Sequence, residues 1–193
     1  MADPFETLSL PARPWIERSA LQSRFHELAA QKHPDSSSHP ESQAAFQALN
    51  EAHQILKNPV SRLRCLLEKE APDQLQAAQS GGISPELSDR FLSVATLLRQ
   101  VSAFCDQQTA ARSPLAKAVL RSEHLALRSD VERALAQVNE LWHRAETQIQ
   151  AADSVWDRRT PGILSQLATL QHEMTFLQRW RLQLREARLR MSD

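Results

Sequence analysis

The stretch Lys32-His33-Pro34-Asp35-Ser36-Ser37-Ser38-His39-Pro40-Glu41 decides how this chain is read. Before it, Glu17 to Lys32 places Leu21, Phe25 and Leu28 on one stripe, at steps of three and four residues. After it, Glu41 to Lys57 does the same with Phe46, Leu49, Ala52, His53 and Leu56. Both spacings are those of an amphipathic helix. Pro34 disfavours helical geometry at His33 and fixes its own φ, so it ends the first helix and stiffens the turn. Asp35 is left as a charged acceptor at a corner, suited to a bidentate pair with an arginine on a partner. His33 can orient the loop or touch that partner. A bare tripeptide can equally be a plain helix stop, and it is the two flanking helices that turn the reading towards recognition. Ser36 to Ser38 beside His33 read as a polar loop, not as a nucleophile with its base.

Outward from this hairpin, proline marks helix starts. Asp3-Pro4, Asn58-Pro59, Ser84-Pro85, Ser113-Pro114 and Thr160-Pro161 each set a capping side chain before a proline at the first helical position. Seven helices are expected: Pro4 to Leu10, Glu17 to Lys32, Glu41 to Lys57, Pro59 to Lys69, Pro85 to Thr109, Pro114 to Ala151 and Pro161 to Arg190. The chain has only 3 glycines among 193 residues and no tyrosine, which leaves little material for hairpins or strands. The expected fold is all-α. An N-terminal module over 1–70 is followed by a linker over 71–83, rich in Gln, Ala and Ser with Gly81-Gly82, and by an antiparallel three-helix bundle over 84–193. The bundle stripes are Leu87, Phe91, Val94, Leu98, Val101 and Cys105; then Leu127, Val131, Leu135, Val138, Trp142, Ala145 and Ile149; then Leu167, Leu170, Met174, Leu177, Leu184, Ala187 and Met191.

Charge and cysteine content narrow the function classes. Lys and Arg number 23 and Asp and Glu number 23, so no net charge draws the chain to nucleic acid or to a membrane. Cys65 and Cys105 lie far apart on apolar faces with no ligand-spaced partner, which reads as buried thiols and no metal. The first 13 residues have no apolar core segment, no run is apolar enough to span a bilayer, and a cytoplasmic location is expected. No phosphate loop, metal cage or nucleophile–base pair is found, so no enzymatic role and no cofactor are expected. The arginines at 179, 181, 185, 188 and 190 are interleaved with Glu186 and Asp193 and read as a solvated bundle face.

The hairpin resembles a J-domain, the part of a co-chaperone that switches on ATP hydrolysis by a DnaK-class chaperone. Phe5-x-x-Leu8, Phe25-x-x-Leu28 and Phe46-x-x-Leu49-x-x-Ala52-x-x-Ile55-Leu56 look like its core positions. Leu10-Pro11-Ala12-Arg13 and Asn50-x-Ala52…Leu56-x-x-Pro59-x-x-Arg62-x-x-x-Leu66-Leu67 are similar to the HscB-type co-chaperones of iron–sulfur cluster assembly, as are the overall architecture, Phe91-Leu92 and Phe176-Leu177-x-x-Trp180. The resemblance implies two partners, and a monomer is expected. A DnaK/HscA-class chaperone would be met by His33, Pro34 and Asp35 and by the basic residues Arg24, His26 and Lys32, with Arg18 beside them. An IscU-type scaffold would be met by Phe91, Leu92, Thr96 and Phe176, with Ser93 at the same patch. Ser93-Val94-Ala95-Thr96-Leu97 stands where the family has a Met-Glu-Gln-Leu-Glu run, so a shifted set of Phe91, Leu92 and Leu97 is an alternative. Phe91 and Phe176 also fit a plain bundle core. Two other readings stay open: a general J-domain protein with a different client, and a helical adaptor without chaperone coupling.

Overall fold

The computed structural model describes residues 3–31 and 40–191. All described regular structure is helical: α1 (Pro4–Thr7), α2 (Arg18–Gln31), α3 (Pro40–Lys57), α4 (Pro59–Glu70), α5 (Pro72–Ser80), α6 (Pro85–Ala110), α7 (Pro114–Asp153) and α8 (Pro161–Arg190), with a 3-10 turn at Trp156–Arg158 before α8. The proline rule explains the starts. Asp3 Oδ1 accepts the Phe5 N–H at 2.9 Å, and Asn58 Oδ1 accepts the Val60 N–H at 2.9 Å. Ser113 Oγ accepts from Ala116 N at 3.1 Å and Thr160 Oγ1 from Ile163 N at 3.4 Å, whereas Ser84 makes no side-chain cap bond. These bonds take up orphan donors that a helix start otherwise leaves to water.

The structure departs from the sequence reading at 71–83. Pro72–Ser80 is a helix there, with Pro72 in its first turn beside the acidic Asp73, and Leu75 is buried. A single apolar anchor gives no readable period, so the stretch looks like linker until Leu75 and Ala71 find a core to enter. Gly82 then takes φ +80, a left-handed geometry that only glycine adopts without cost.

The described chain separates into two compact units, 1–80 with 146–171, and 81–145 with 172–193. The division falls inside the expected linker at 80/81, but the first unit also takes the end of α7, the 3-10 turn and the start of α8.

In the first unit α3 packs against both α1 and α2, and α4 against α3 and α5. Phe5, Leu8, Leu21, Leu49, Leu56, Leu63, Leu66 and Leu67 are buried there. Trimming any one of the leucines to alanine costs about 2–5 kcal/mol, because the cavity left behind relaxes only in part.

The second unit is an antiparallel arrangement of α6, α7 and α8, read from its cross-helix contacts. Arg90 meets Gln137 at 2.7 Å and Phe104 meets His124 at 5.7 Å between ring centroids, so α6 and α7 run in opposite directions. His124 Nε2 bonds the Met191 carbonyl at 2.8 Å, and Arg181 bonds Asn139 at 2.9 Å, so α8 runs back along α7. The core of α6 is Leu87, Val94, Leu97, Val101 and Phe104. The expected stripe has Phe91, Leu98 and Cys105 in place of Leu97 and Phe104. Leu87, Val94 and Val101 are common to both, and an apolar flank lies on each side of them.

Candidate functional site

The described part of the expected chaperone surface is α2. Leu21 and Leu28 anchor it in the core, and Phe25, half-buried, stacks on His53 of α3 at 4.2 Å between centroids with planes 22° apart. Burial, with Lys57 and His26 nearby, holds the His53 pKa below its ordinary value. Arg18, Gln22 and His26 form one exposed line, four residues apart, and the Gln22 amide bonds the His26 ring at 3.3 Å. Arg24 does not share that line. Two residues from His26, it points about 160° away around the helix. Its Nε donates to the Leu8 carbonyl at 3.1 Å and its guanidinium pairs with Glu27 at 3.1 Å. The sequence reading groups Arg24 with His26; the structure turns Arg24 back onto the end of α1. Lys32, His33, Pro34 and Asp35 lie outside the described residues.

The connection before α2, residues 11–17, is held by remote side chains. Trp156 Nε1 donates to the Ala12 carbonyl at 3.0 Å across 144 positions of sequence. Arg62 Nε donates to the Pro14 carbonyl at 2.9 Å, and its guanidinium also donates to the Leu56 carbonyl at the end of α3 at 2.9 Å. Asp153 accepts the Trp15 N–H at 3.2 Å and pairs with Arg13 Nε at 3.2 Å, while Arg13 donates again to the Asp153 carbonyl at 2.8 Å. Arg62 is 4% exposed, and burial pulls its pKa down to about 10, opposed by the nearby Glu146 and Asp153 carboxylates. It therefore stays charged at neutral pH. Arg159, in left-handed geometry with φ 40, lies over the Trp156 ring at 5.5 Å and pairs with Glu70 at 3.4 Å. Arg13 and Arg62 stand in the sequence motifs quoted above. The sequence marks Trp156 only as a core or boundary anchor, and Asp153 not at all, because nothing local marks a residue whose partners are about 140 positions away.

The second unit brings two of the expected client residues, Phe91 and Phe176, onto one side chain. Trp180 is buried, and Phe91 and Phe176 both approach it at 6.3 Å between centroids. Phe91 is 48% exposed and Leu92 65% exposed, so Phe91 is not a core residue; Phe176 is half-buried, with the His172 ring edge-on at 5.1 Å. Thr96 lies one turn beyond Leu92 and is exposed, its hydroxyl accepting from Arg99 at 3.3 Å. Ser93 is exposed too, and donates to the Asp89 carbonyl at 3.0 Å. Leu97, the third member of the shifted set, is buried in the core and not part of this surface.

Among the described residues, no three His, Cys, Asp or Glu side chains gather as a metal site would require. No described helix is long and apolar enough to cross a membrane.

Against known proteins, residues 3–64 match the DnaJ domain family. The co-chaperone protein HscB homolog of Vibrio atlanticus is 37% identical over 75 residues, which is 36% of this chain and 44% of that protein. The co-chaperone protein HscB of Proteus mirabilis is 35% identical over 77 residues, 37% of this chain and 44% of that protein. The HscB homolog of Haemophilus ducreyi is 34% identical over 74 residues, 35% of this chain and 43% of that protein. The chain thus spans less than half the length of these curated relatives. It carries a J-domain at its N-terminus, followed by a helical C-terminal region.

Proposed function

We propose that this protein is a J-domain co-chaperone that stimulates ATP hydrolysis by a DnaK/HscA-class chaperone and presents a client to it. The observation that carries the reading is the match of residues 3–64 to the DnaJ domain, with His33-Pro34-Asp35 in the sequence between α2 and α3. In this reading Asp35 meets an arginine of the chaperone with His33 and Pro34 beside it in the sequence, Arg18 and Lys32 supply positive charge, and His26 offers a polar contact. Arg24 steadies α2 against α1 and contributes little free charge. Docking is then salt-sensitive, though less so than for a more basic helix, because Gln22 and Glu27 dilute the charge.

The client in this reading is an iron–sulfur scaffold of the IscU type, held by Phe91, Leu92, Thr96 and Phe176 over Trp180. The protein works as a monomer, with no cofactor of its own, in the cytoplasm. A second reading is a different client, and the exposed hydroxyls of Ser93 and Thr96 favour it. Putting a polar side chain where an interface needs an apolar one weakens binding by about 1–3 kcal/mol per position.

The test is single-turnover ATP hydrolysis by the DnaK-class chaperones of the same organism, with the wild type and with His33→Gln. Stimulation by the wild type alone supports the co-chaperone reading. No stimulation by either leaves a helical adaptor. For the client, capture of an IscU-type scaffold that is abolished by Leu92→Ala or Phe176→Ala supports the first reading; no capture by the wild type supports the second.

A further inference from the structure

We propose that Asp153 and Trp156 are positioning residues for chaperone coupling, holding the α1–α2 connection so that α2 starts in one place and presents one edge. The inference rests on the co-chaperone reading and adds to it a requirement for residues far outside the matched J-domain, which ends at residue 64.

The connection between α1 and α2 contains Pro11 and Pro14, which have no N–H to give. Three of its backbone groups are met instead by remote side chains: the Ala12 carbonyl by Trp156, the Pro14 carbonyl by Arg62 and the Trp15 N–H by Asp153. Arg62 is supplied by α4, inside the matched region; the other two come from the end of α7 and the turn after it. Trp156 is 1% exposed, so its indole is a fixed donor and not a mobile one. α2 begins at Arg18, three residues after Trp15, so whatever holds Trp15 also sets where the helix starts. A surface whose start is already held gives up less conformational freedom on docking, which lowers the concentration needed without changing the complex formed.

The experiment uses the full chain. Chaperone ATP hydrolysis is measured against co-chaperone concentration for wild type, Asp153→Asn, Asp153→Glu and Trp156→Phe, each first shown to be helical at the assay temperature by circular dichroism. We expect Asp153→Asn to raise the half-maximal concentration about tenfold, in line with removal of a charge-assisted hydrogen bond, with the plateau unchanged. Asp153→Glu restores the carboxylate and should recover most of that shift. Hydrogen exchange at the Trp15 amide should quicken in Asp153→Asn. Should Asp153→Asn fail to fold, Trp156→Phe decides by the same reading, since it removes the indole N–H and keeps a buried ring. A wild-type half-maximal concentration in folded Asp153→Asn and Trp156→Phe overturns the proposal while leaving the co-chaperone reading intact. No stimulation by the wild type overturns both.

Discussion

The Arg62 guanidinium donates to the Pro14 carbonyl at 2.9 Å, joining α4 to a connection 48 residues earlier in the chain. A buried arginine is worth its desolvation only where its donors are used. Here Nε serves Pro14, a terminal nitrogen serves Leu56, and the plane lies over the Trp15 ring at 5.8 Å. Replacing Arg62 with methionine keeps the bulk and strands both carbonyls. The expected loss is about 2–4 kcal/mol, from two buried acceptors at roughly 1–3 kcal/mol each with partial relaxation. Urea unfolding of the two proteins measures it, and a loss below about 0.5 kcal/mol would mean that water replaces the guanidinium at both carbonyls.

Asp3 gives a pH dependence with a definite sign. Burial alone raises its pKa, but the Lys69 ammonium at 2.8 Å and the Phe5 N–H outweigh burial and hold it below 3.8. A carboxyl whose folded pKa is depressed stabilises the fold above its unfolded pKa, and that contribution fades as pH falls through the folded value. Stability should therefore drop below about pH 4. Asp3→Asn keeps a good N-cap while removing the charge. The variant should show a shallower fall of melting temperature between about pH 4 and pH 2 than the wild type, with both titrated in the same buffers.

Ser9 sits at φ 50, in the left-handed region, and is exposed. A non-glycine residue there costs about 1–2 kcal/mol, and glycine gives back part of the gain through its freer unfolded chain. Ser9→Gly should stabilise the protein by about 0.5–1 kcal/mol, read as a rise in the urea midpoint at constant slope.

The register of α6 is open to a paired test. Phe91 is 48% exposed and Leu97 is 9% exposed. Leu97→Ala should cost about 2–4 kcal/mol, while Phe91→Ala should cost under about 1 kcal/mol despite removing the larger side chain. The reverse order would put the Phe91 flank in the core.

The helices are legible in the sequence because their signals are local. A capping oxygen before a proline acts within three residues, and an apolar period is complete within a few turns. This is why α3, α4, α6, α7 and α8 begin within a residue of where the sequence places them. α5 escapes such a reading for the converse reason, since Leu75 is one anchor without a period and declares itself only by burial.

The candidate surfaces divide in the same way. The sequence placed His33-Pro34-Asp35 between two amphipathic helical patterns, and its family resemblance grouped Phe91, Leu92, Thr96 and Phe176, of which Phe91 and Phe176 meet at Trp180. What it could not decide was which flank of Leu87, Val94 and Val101 faces inward, because both satisfy the same seven-residue spacing and only the helices packed alongside choose between them. Nor could it show that Arg24 bonds the Leu8 carbonyl, or that Asp153 and Trp156 bond the backbone of the connection before α2. Those facts depend on hydrogen-bond partners separated by 16 to 144 positions, and a bond of that kind exists only once the chain has folded back on itself.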